Sequence, residues 1–277
     1  MPTNIRLTDT WLSFGLAFVG GYGDAAGFVL AKTFTGHVTG NLVLGAIAVT
    51  AHDWRATFGH LSAIVTFLIG VPLSVLIARP SKAWPSALFL PRVMGMEVIL
   101  ILAASLVLAS DVAHGVAIFA IFVSLALGLQ NGAFRRVGGI SLHTTYLTGM
   151  ITSLISTEAE KYASGEAPPP MRAPDPKMRL LCGIWAAFVS GAGTGAAMVL
   201  HFKALGMLGA ALLLIILILR DCLRRTLRPK SVRRRYFAIV NQLNRGTELV
   251  TSEDERFQLA ELNLIAGKRA TFTNIIE

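Results

Sequence analysis

Six long apolar runs constrain this chain more than any other feature of its sequence. A helix needs about 20 apolar residues to cross the roughly 30 Å hydrocarbon layer of a membrane, and each run approaches that length. Only 15% of the 277 residues are charged, against roughly a quarter in a soluble domain. The sequence therefore predicts a multi-pass membrane protein with about six transmembrane helices. The runs are Leu12–Ala31, Leu61–Ala78, Val93–Ala109, Val116–Ala133, Leu180–Leu200 and Leu205–Leu219.

Two polar segments interrupt this pattern, and each carries a Thr-Gly pair. Residues 34–43 read FTGHVTGNLV, within a segment covering 34–51, and residues 142–151 read LHTTYLTGMI, within 140–157. Each segment is long enough for a short span and polar enough to stay out of lipid. Backbone that enters a membrane without spanning it must face protein or a wet cavity. Two such segments entering from opposite sides would line a central path.

Loop charge decides between eight spans and six. If both Thr-Gly segments crossed and the C-terminus were cytoplasmic, Arg79 and Lys82 would lie outside with Arg135 and Arg136. If neither crosses, these basic residues all lie in the cytoplasm, as the positive-inside tendency prefers. We therefore predict six spans, two re-entrant segments, and both termini in the cytoplasm. The Asp24 side chain inside the first run and the length of that run favour a retained helix over a signal peptide.

The two halves of the chain share one order of elements. Aligned on Thr39-Gly40 and Thr148-Gly149, each half has a span ending in a polar cluster, a Thr-Gly segment, a polar linker and two apolar spans. The predicted repeats cover about 10–110 and 112–222. With three spans in each, their first spans run in opposite directions, which is the inverted plan of many secondary transporters. The alternative is a chance similarity of apolar sequence rich in glycine and threonine.

Asp24 is the most informative candidate residue, because an acid inside a span costs at least ~2.5 kcal/mol on insertion scales and tends to face the bundle interior. The repeat sets it opposite Asn131. The alternative reading of each residue is structural. Asp24 would then make a hydrogen bond that supports the fold, Asn131 would hydrogen-bond one helix to another, and the histidines would be hydrogen-bonded parts of the structure. Glu97 is a second acid, near enough to the end of its run for water to reach it. The predicted substrate or proton site comprises Asp24, His37, Thr39, Asn41, Gln130, Asn131 and Thr148.

Glycines at spacings of three and four allow helices to approach closely. The predicted packing residues are Gly20, Gly23, Gly27, Gly191 and Gly195. The clusters GYGDAAG and GAGTG resemble phosphate loops, but neither follows a strand or ends in Gly-Lys-Ser/Thr. We found no catalytic triad, no metal motif and no paired cysteine motif, so the sequence predicts no enzyme, no metal and no cofactor.

The net charge of +9 comes mostly from a basic collar at 220–235. A collar at the end of a span is typical of cytoplasmic topology and of contact with anionic lipid, rather than of nucleic-acid binding. Residues 223–277 are therefore predicted to be a cytoplasmic collar and tail, separate from a transmembrane domain at 1–222. The expected partners are membrane lipid and a small-molecule or ion substrate, and a homo-oligomer is left open.

The stretches GYGDAAGFVLAKTFTGHVTGNLV, LGLQNGAFRR and TTYLTGMIT resemble the YoaK-like family of bacterial inner-membrane proteins. The likeness covers about residues 10–220, and the tail after about 235 looks like an addition. The resemblance implies a compact membrane protein of six helices and supplies neither a substrate nor functional residues. We expect a small-molecule or ion transporter; the alternatives are a membrane scaffold or regulator and, with less support, a membrane enzyme.

Overall fold

The computed structural model describes residues 7–78, 89–110, 112–133, 136–137, 140–141, 149, 151–152, 155–156, 159–160, 163 and 176–226. Within these residues the secondary structure is almost entirely helical. The α-helices are α1 (Leu7–Ala31), α2 (Val38–Thr50), α3 (Trp54–Ala78), α4 (Phe89–Ala109), α5 (Gly115–Ala133), α6 (Pro176–Phe202) and α7 (Leu208–Thr226).

Five stretches of the described chain are long and apolar enough to cross a membrane, so this is an all-α, multi-pass membrane protein. The last of them, Met178–Arg224, contains both α6 and α7, joined by a 3₁₀ turn at Lys203–Met207. The stretches are Thr10–Ala31, Trp54–Ile77, Pro91–Ala109, Gly115–Ala133 and Met178–Arg224.

Helix α1 packs between α6 and α7, and its contacts give the direction of each. Going up α1, Phe14 meets Gly183 and Tyr22 meets Gly195, so α6 runs parallel to α1. Gly15 meets Leu217 near the other end of α7, while Tyr22 meets Gly209, so α7 runs antiparallel. The long stretch Met178–Arg224 is therefore a hairpin of two helices. The predicted count of six long helices agrees with this geometry.

Helices α3 and α5 form a second parallel pair, because Phe67 of α3 meets Gly128 and Val71 meets Gly132 farther along. The two pairs run in opposite directions: Gly23 of α1 faces Val123 and Leu127 of α5, whereas Leu16, two turns earlier, accepts a hydrogen bond from Gln130. Helix α3 is therefore antiparallel to α1.

Helix α2 lies between α1 and α3 and has 13 residues. At 1.5 Å per residue it is about 20 Å long, which is shorter than the roughly 30 Å hydrocarbon layer. Since α1 and α3 already run in opposite directions, no crossing by α2 is needed to connect them. Its buried residues are Asn41, Gly45 and Ala48.

The second Thr-Gly segment is described only in part. Two strands, β1 (Arg136–Val137) and β2 (Ile140–Ser141), pair antiparallel with Arg136 opposite Ser141. Thr148 of the predicted site lies outside the described residues. The chain divides into units Met1–Leu223 and Arg224–Glu277, and the predicted tail after Thr226 also lies outside what the structure describes.

Candidate functional site

The candidate site is built on a short loop, residues 32–37, which we call the return loop. It follows α1, reverses at Lys32, whose φ is +56°, and folds back along the last turns of the helix. Gly27 makes this approach feasible, because a Cβ there would lie 2.5 Å from the Thr35 Cγ2 atom and 3.1 Å from the Thr33 carbonyl oxygen. The Phe28 and Phe34 rings stack at 4.7 Å between centroids. The FTGH sequence is thus held against α1.

Asp24 fastens the return loop to α1. Its Oδ1 atom accepts hydrogen bonds of 2.8 Å from the backbone N–H groups of Thr35 and Gly36, and its Oδ2 atom pairs with Nδ1 of His37. The Thr35 hydroxyl donates to the Gly23 carbonyl at 3.0 Å. Asp24 is only 3% exposed. Its carboxylate is shielded from water and is hydrogen-bonded by three donors of the return loop instead. The arrangement satisfies the charge that burial would otherwise penalise.

His37 is the partly accessible member of this pair, with 37% of its side chain exposed. Its hydrogen bond to Asp24 raises the pKa of His37 above its ordinary value, aided by the carboxylate charge and opposed by burial. The ring also lies edge-on to Phe188 of α6, at 5.8 Å between centroids. His37 therefore links the return loop to two helices and can change charge near neutral pH.

Asn41 fastens the same loop from the other side. Its Oδ1 atom accepts from the Phe34 N–H at 3.0 Å, and its Nδ2 atom donates to the Phe34 carbonyl at 2.5 Å. His60 of α3 places Nδ1 3.3 Å from the same Oδ1 atom. One buried amide thus satisfies both backbone groups of Phe34 and ties α2 to α3. The sequence analysis did not identify His60 as a site residue, although a histidine directly before an apolar run was a signal that could have found it.

The predicted site residues do not all meet. Asp24 and Asn41 hold the return loop, which ends at His37, whereas Thr39 is exposed on the first turn of α2. Gln130 and Asn131 are buried on α5, where Gln130 donates to the Leu16 carbonyl and Asn131 to the Leu127 carbonyl, each at 2.9 Å. Gln130 and Asn131 sit at the opposite end of the α1–α5 contact from Gly23.

Two close helix crossings depend on glycine. A Cβ at Gly21 would clash with the Phe188 carbonyl oxygen of α6, and a Cβ at Gly128 would clash with the Phe67 carbonyl oxygen of α3. Two further glycines complete these crossings: Gly191 against the backbone of Phe18, and Gly70 against the backbone of Leu125.

The crossings correspond in register. One spacing along the chain separates both Gly21 from Gly128 and Phe18 from Leu125. A second common spacing separates Phe67 from Phe188 and Gly70 from Gly191.

The predicted packing glycines occupy three kinds of position. Gly191 and Gly195 lie against the α1 backbone, Gly23 faces side chains of α5 at 3.4 Å, and Gly27 receives the return loop. Gly20 is buried, but its neighbour Gly21 takes the close crossing. Sequence spacing of three and four identified the glycine-rich face without identifying which glycine touches which helix.

A second buried acid lies away from the return loop. Glu97 of α4 is 0% exposed, and neither carboxyl oxygen has a hydrogen-bond partner. The expectation that water reaches it near the end of the run is wrong, because Glu97 lies on the buried face of α4, opposite the exposed Ile99. Ser124 of α5 is also 0% exposed with an unpartnered hydroxyl.

Comparison with known proteins places the chain in a family. A family model described as "Protein of unknown function (DUF1275)" matches residues 12–219. The UPF0700 transmembrane protein YoaK of Bacillus subtilis (strain 168) is 28% identical over 150 residues, which cover 53% of this chain and 65% of that protein. No solved structure matches this chain. Because the family model covers most of its length, the chain belongs to the DUF1275 family, and the predicted YoaK-like resemblance is confirmed.

Proposed function

We propose that this member of the DUF1275 family is a small-molecule or ion transporter, in which two helix pairs, α1 with α6 and α3 with α5, rock against each other around a polar site at the return loop. The observation that carries the proposal is the pair of glycine crossings. The same contact, a phenylalanine carbonyl seated on a glycine, joins α1 to α6 and α5 to α3, and the two pairs run in opposite directions. Inverted repeats with sites between the halves are the plan of many secondary transporters.

The contacts also suggest which parts move together. Inside each pair the backbones touch at glycines, where no side chain can be inserted. Between the pairs, Gly23 faces Val123 and Leu127 at 3.4 Å, an ordinary contact with side chains. Well-packed interfaces behave as rigid bodies with discrete arrangements. The proposed rigid bodies are therefore α1 with α6 and α3 with α5, and the proposed moving interface is α1 against α5.

The orientation is part of the proposal. The protein lies in a bacterial inner membrane. The N-terminus of α1 and the C-terminus of α7 are on its cytoplasmic side, because the basic collar begins at the end of α7. The turn between α2 and α3, with Asp53, then lies outside. A cysteine at Asp53 should react with an impermeant maleimide added outside intact cells, in a background lacking Cys182 and Cys222. A cysteine at the exposed Arg179 is the matched cytoplasmic control, and the reverse labelling pattern would contradict the orientation.

The test of transport uses purified protein in liposomes, with protons, Na⁺, K⁺, amino acids, sugars and nucleosides as probes. A Gly23→Cys/Val123→Cys pair is designed to join α1 to α5, since a Cβ at position 23 would lie 3.4 Å from the Val123 Cγ1 atom and a disulfide needs Cβ atoms about 3.5–4.5 Å apart. Oxidation should abolish flux of the responding probe and reduction should restore it. The control pair, Val107→Cys/Gly115→Cys, joins α4 to α5 away from the α1–α5 interface and should leave flux intact. Flux that survives oxidation of the first pair would overturn the rocking mechanism.

A second function keeps one specific observation in its favour. Every oxygen of Asp24 is occupied by the return loop, as expected of a structural fastener in a membrane scaffold or regulator. The Asp24→Asn variant distinguishes the two functions. In a transporter, the substitution should change the pH dependence of flux. In a scaffold or regulator, it should change no flux measured in liposomes.

A further inference from the structure

Among the residues that the structure describes, Glu97 is the buried ionisable group that the return-loop site does not use. The ionised form of a carboxyl without a single hydrogen bond, in a region without water, is prohibitively costly. Both oxygens of Glu97 are in that position, at 0% exposure. The side chain is therefore neutral in the conformation described here and carries a proton. Its neighbours in the core include Met94, Val98 and Ile101 on its own helix.

Ser124 lies at the same level of the bundle. Helices α4 and α5 form an antiparallel hairpin in which Gly115 approaches the Val107 carbonyl, at 3.3 Å from the position of a Cβ. Glu97 precedes Val107 by as many residues as Leu125 follows Gly115, so Glu97 is level with Ser124 and Leu125. The Ser124 hydroxyl also has no hydrogen-bond partner. Two polar groups without partners therefore lie at the same depth on two packed helices.

The proposed moving interface, α1 against α5, lies at the same depth. Gly23, next to Asp24, faces Val123 and Leu127, which bracket Ser124 on α5. A polar group that has no partner in one packing of the helices gains one if another packing admits water or a hydroxyl. The α1–α5 interface, where α1 meets side chains of α5 rather than its backbone, is the proposed place of such a second packing.

We propose that Glu97 is a proton-binding site inside the bundle, protonated in this conformation and exchanging its proton with water in a second one, with Ser124 as the positioning hydroxyl that stabilises the ionised form. That this proton drives transport rests on the proposed function; that Glu97 binds and exchanges it does not. The atoms balance simply: one O–H bond of the carboxyl breaks and water accepts the proton.

The surrounding charges are consistent with a proton rather than a metal ion. Helix α5 contains no ionisable residue, and Arg92 is the other ionisable residue on α4. From α3, His60 bonds to Asn41 and Arg55 is exposed; from the 3₁₀ turn, Lys203 is exposed. In the described part of the chain no three side chains of His, Cys, Asp or Glu group together, whereas a metal ion would need several such ligands.

Infrared spectroscopy of the folded, full-length protein tests the site without any substrate. The parent should show a protonated-carboxyl band at neutral pH that is missing in Glu97→Gln and retained in Asp24→Asn. The band should shift on transfer to ²H₂O without unfolding, because the proton exchanges with water. A band that is absent from the parent, unchanged in Glu97→Gln, or unable to exchange would overturn the proposal.

The parent protein alone provides a second measurement if Glu97→Gln fails to fold. Dicyclohexylcarbodiimide attacks protonated carboxyls in apolar surroundings, and peptide mapping should locate its adduct on Glu97. Labelling should fall several-fold from mildly acidic to alkaline pH while the protein stays folded. Labelling that is independent of pH would mean a permanently trapped proton and would overturn the exchange.

Ser124 has its own readout. Ser124→Ala should move the midpoint of the labelling profile to higher pH, because the ionised carboxyl loses its hydroxyl donor, and Ser124→Thr should restore the midpoint. A purely structural role predicts the same midpoint in all three proteins. Failure of the liposome flux test with a positive infrared result would remove transport coupling and leave the proton site standing.

Discussion

In the part of the chain that the structure describes, two carboxyl groups are buried, and they have opposite surroundings. Asp24 receives two backbone N–H groups and a histidine from the return loop. Glu97 receives no hydrogen bond. Burial alone therefore does not say what an acid in a membrane helix does, since the partners decide whether it is charged. Asp24 is a fastener whose two oxygens both have partners, and Glu97 is a neutral group without a structural task.

The difference follows from where each acid sits on its helix. Asp24 lies near the end of α1, where the chain turns back and supplies free backbone N–H groups. Glu97 lies within α4, where every neighbouring N–H is already bonded inside a helix. An acid near a helix end can be satisfied by the loop that follows, whereas an acid inside a packed helix depends on other side chains. Removing the two acids should therefore have opposite effects on stability.

The largest effect is expected for Asp24→Ala. This change leaves the N–H groups of Thr35 and Gly36 without an acceptor, and an unsatisfied buried donor costs about 1–3 kcal/mol. We expect a total loss of about 3–5 kcal/mol, as for other broken buried pairs, measured by reversible unfolding in detergent. Asp53→Ala is the control: this exposed acid accepts one hydrogen bond from the Ala56 N–H, and its loss should cost about 1 kcal/mol. Equal losses would remove the distinction between fastener and surface cap.

The opposite sign is expected for Glu97→Met. Methionine has a similar volume and no polar atom, and replacing buried polar groups by apolar groups of the same shape is neutral or stabilising. We expect the free energy of unfolding to stay the same or rise by about 1–2 kcal/mol. A loss of more than about 2 kcal/mol would mean that Glu97 has a partner that supports the fold.

Much of the helical architecture was predictable, and the pairing of the two acids was not. Long apolar runs predicted the helices, because helices of this kind depend on composition and length, whereas the absence of a crossing by α2 stays a prediction from loop charge. The donors around Asp24 are the backbone N–H groups of Thr35 and Gly36, which every residue except proline possesses, so no residue type marks them. The full burial of Glu97 depends on how α3 and α5 pack around α4, which one sequence does not specify.

The glycine crossings illustrate the same limit. The spacing Gly20-Gly23-Gly27 identified a face rich in glycine, and the structure uses Gly21 for the closest backbone approach. Such a choice depends on the rotation of α1 relative to α6, and a shift of one residue rotates the contact by about 100°. Periodicity in the sequence therefore predicts that two helices pack closely, but it does not predict which residue makes the contact.

A smaller effect is expected from pH, and it separates the two acids again. The pKa of His37 is raised in the folded state by its bond to Asp24, so its contribution is complete below about pH 6.5 and is lost as the pH rises through the folded value. Glu97 holds a proton that the unfolded chain releases above about pH 4.3, so its effect begins at lower pH. Thermal stability should therefore fall with rising pH in two steps.

The two steps are assigned by substitution. His37→Gln should remove the step near neutral pH and keep the acidic one, whereas Glu97→Gln should do the reverse. Melting temperatures across a pH series in a single buffer mixture give both steps. A single step that disappears in one variant and is untouched in the other would show that only one of the two groups changes its protonation on folding.

The smallest effect is expected for Thr39→Val, within the predicted site itself. Thr39 is exposed on the first turn of α2, and the return loop is fastened without it, so stability should change by less than about 0.5 kcal/mol. Asn41→Leu is the contrasting variant two residues away, because it leaves the N–H and carbonyl of Phe34 unpaired and should cost about 2–4 kcal/mol. Flux measured in liposomes then distinguishes the roles of the hydroxyl. If Thr39→Val folds like the parent but loses flux of the responding probe, the hydroxyl contacts the substrate. If flux is also unchanged, the polar site is confined to the return loop between Asp24 and Asn41.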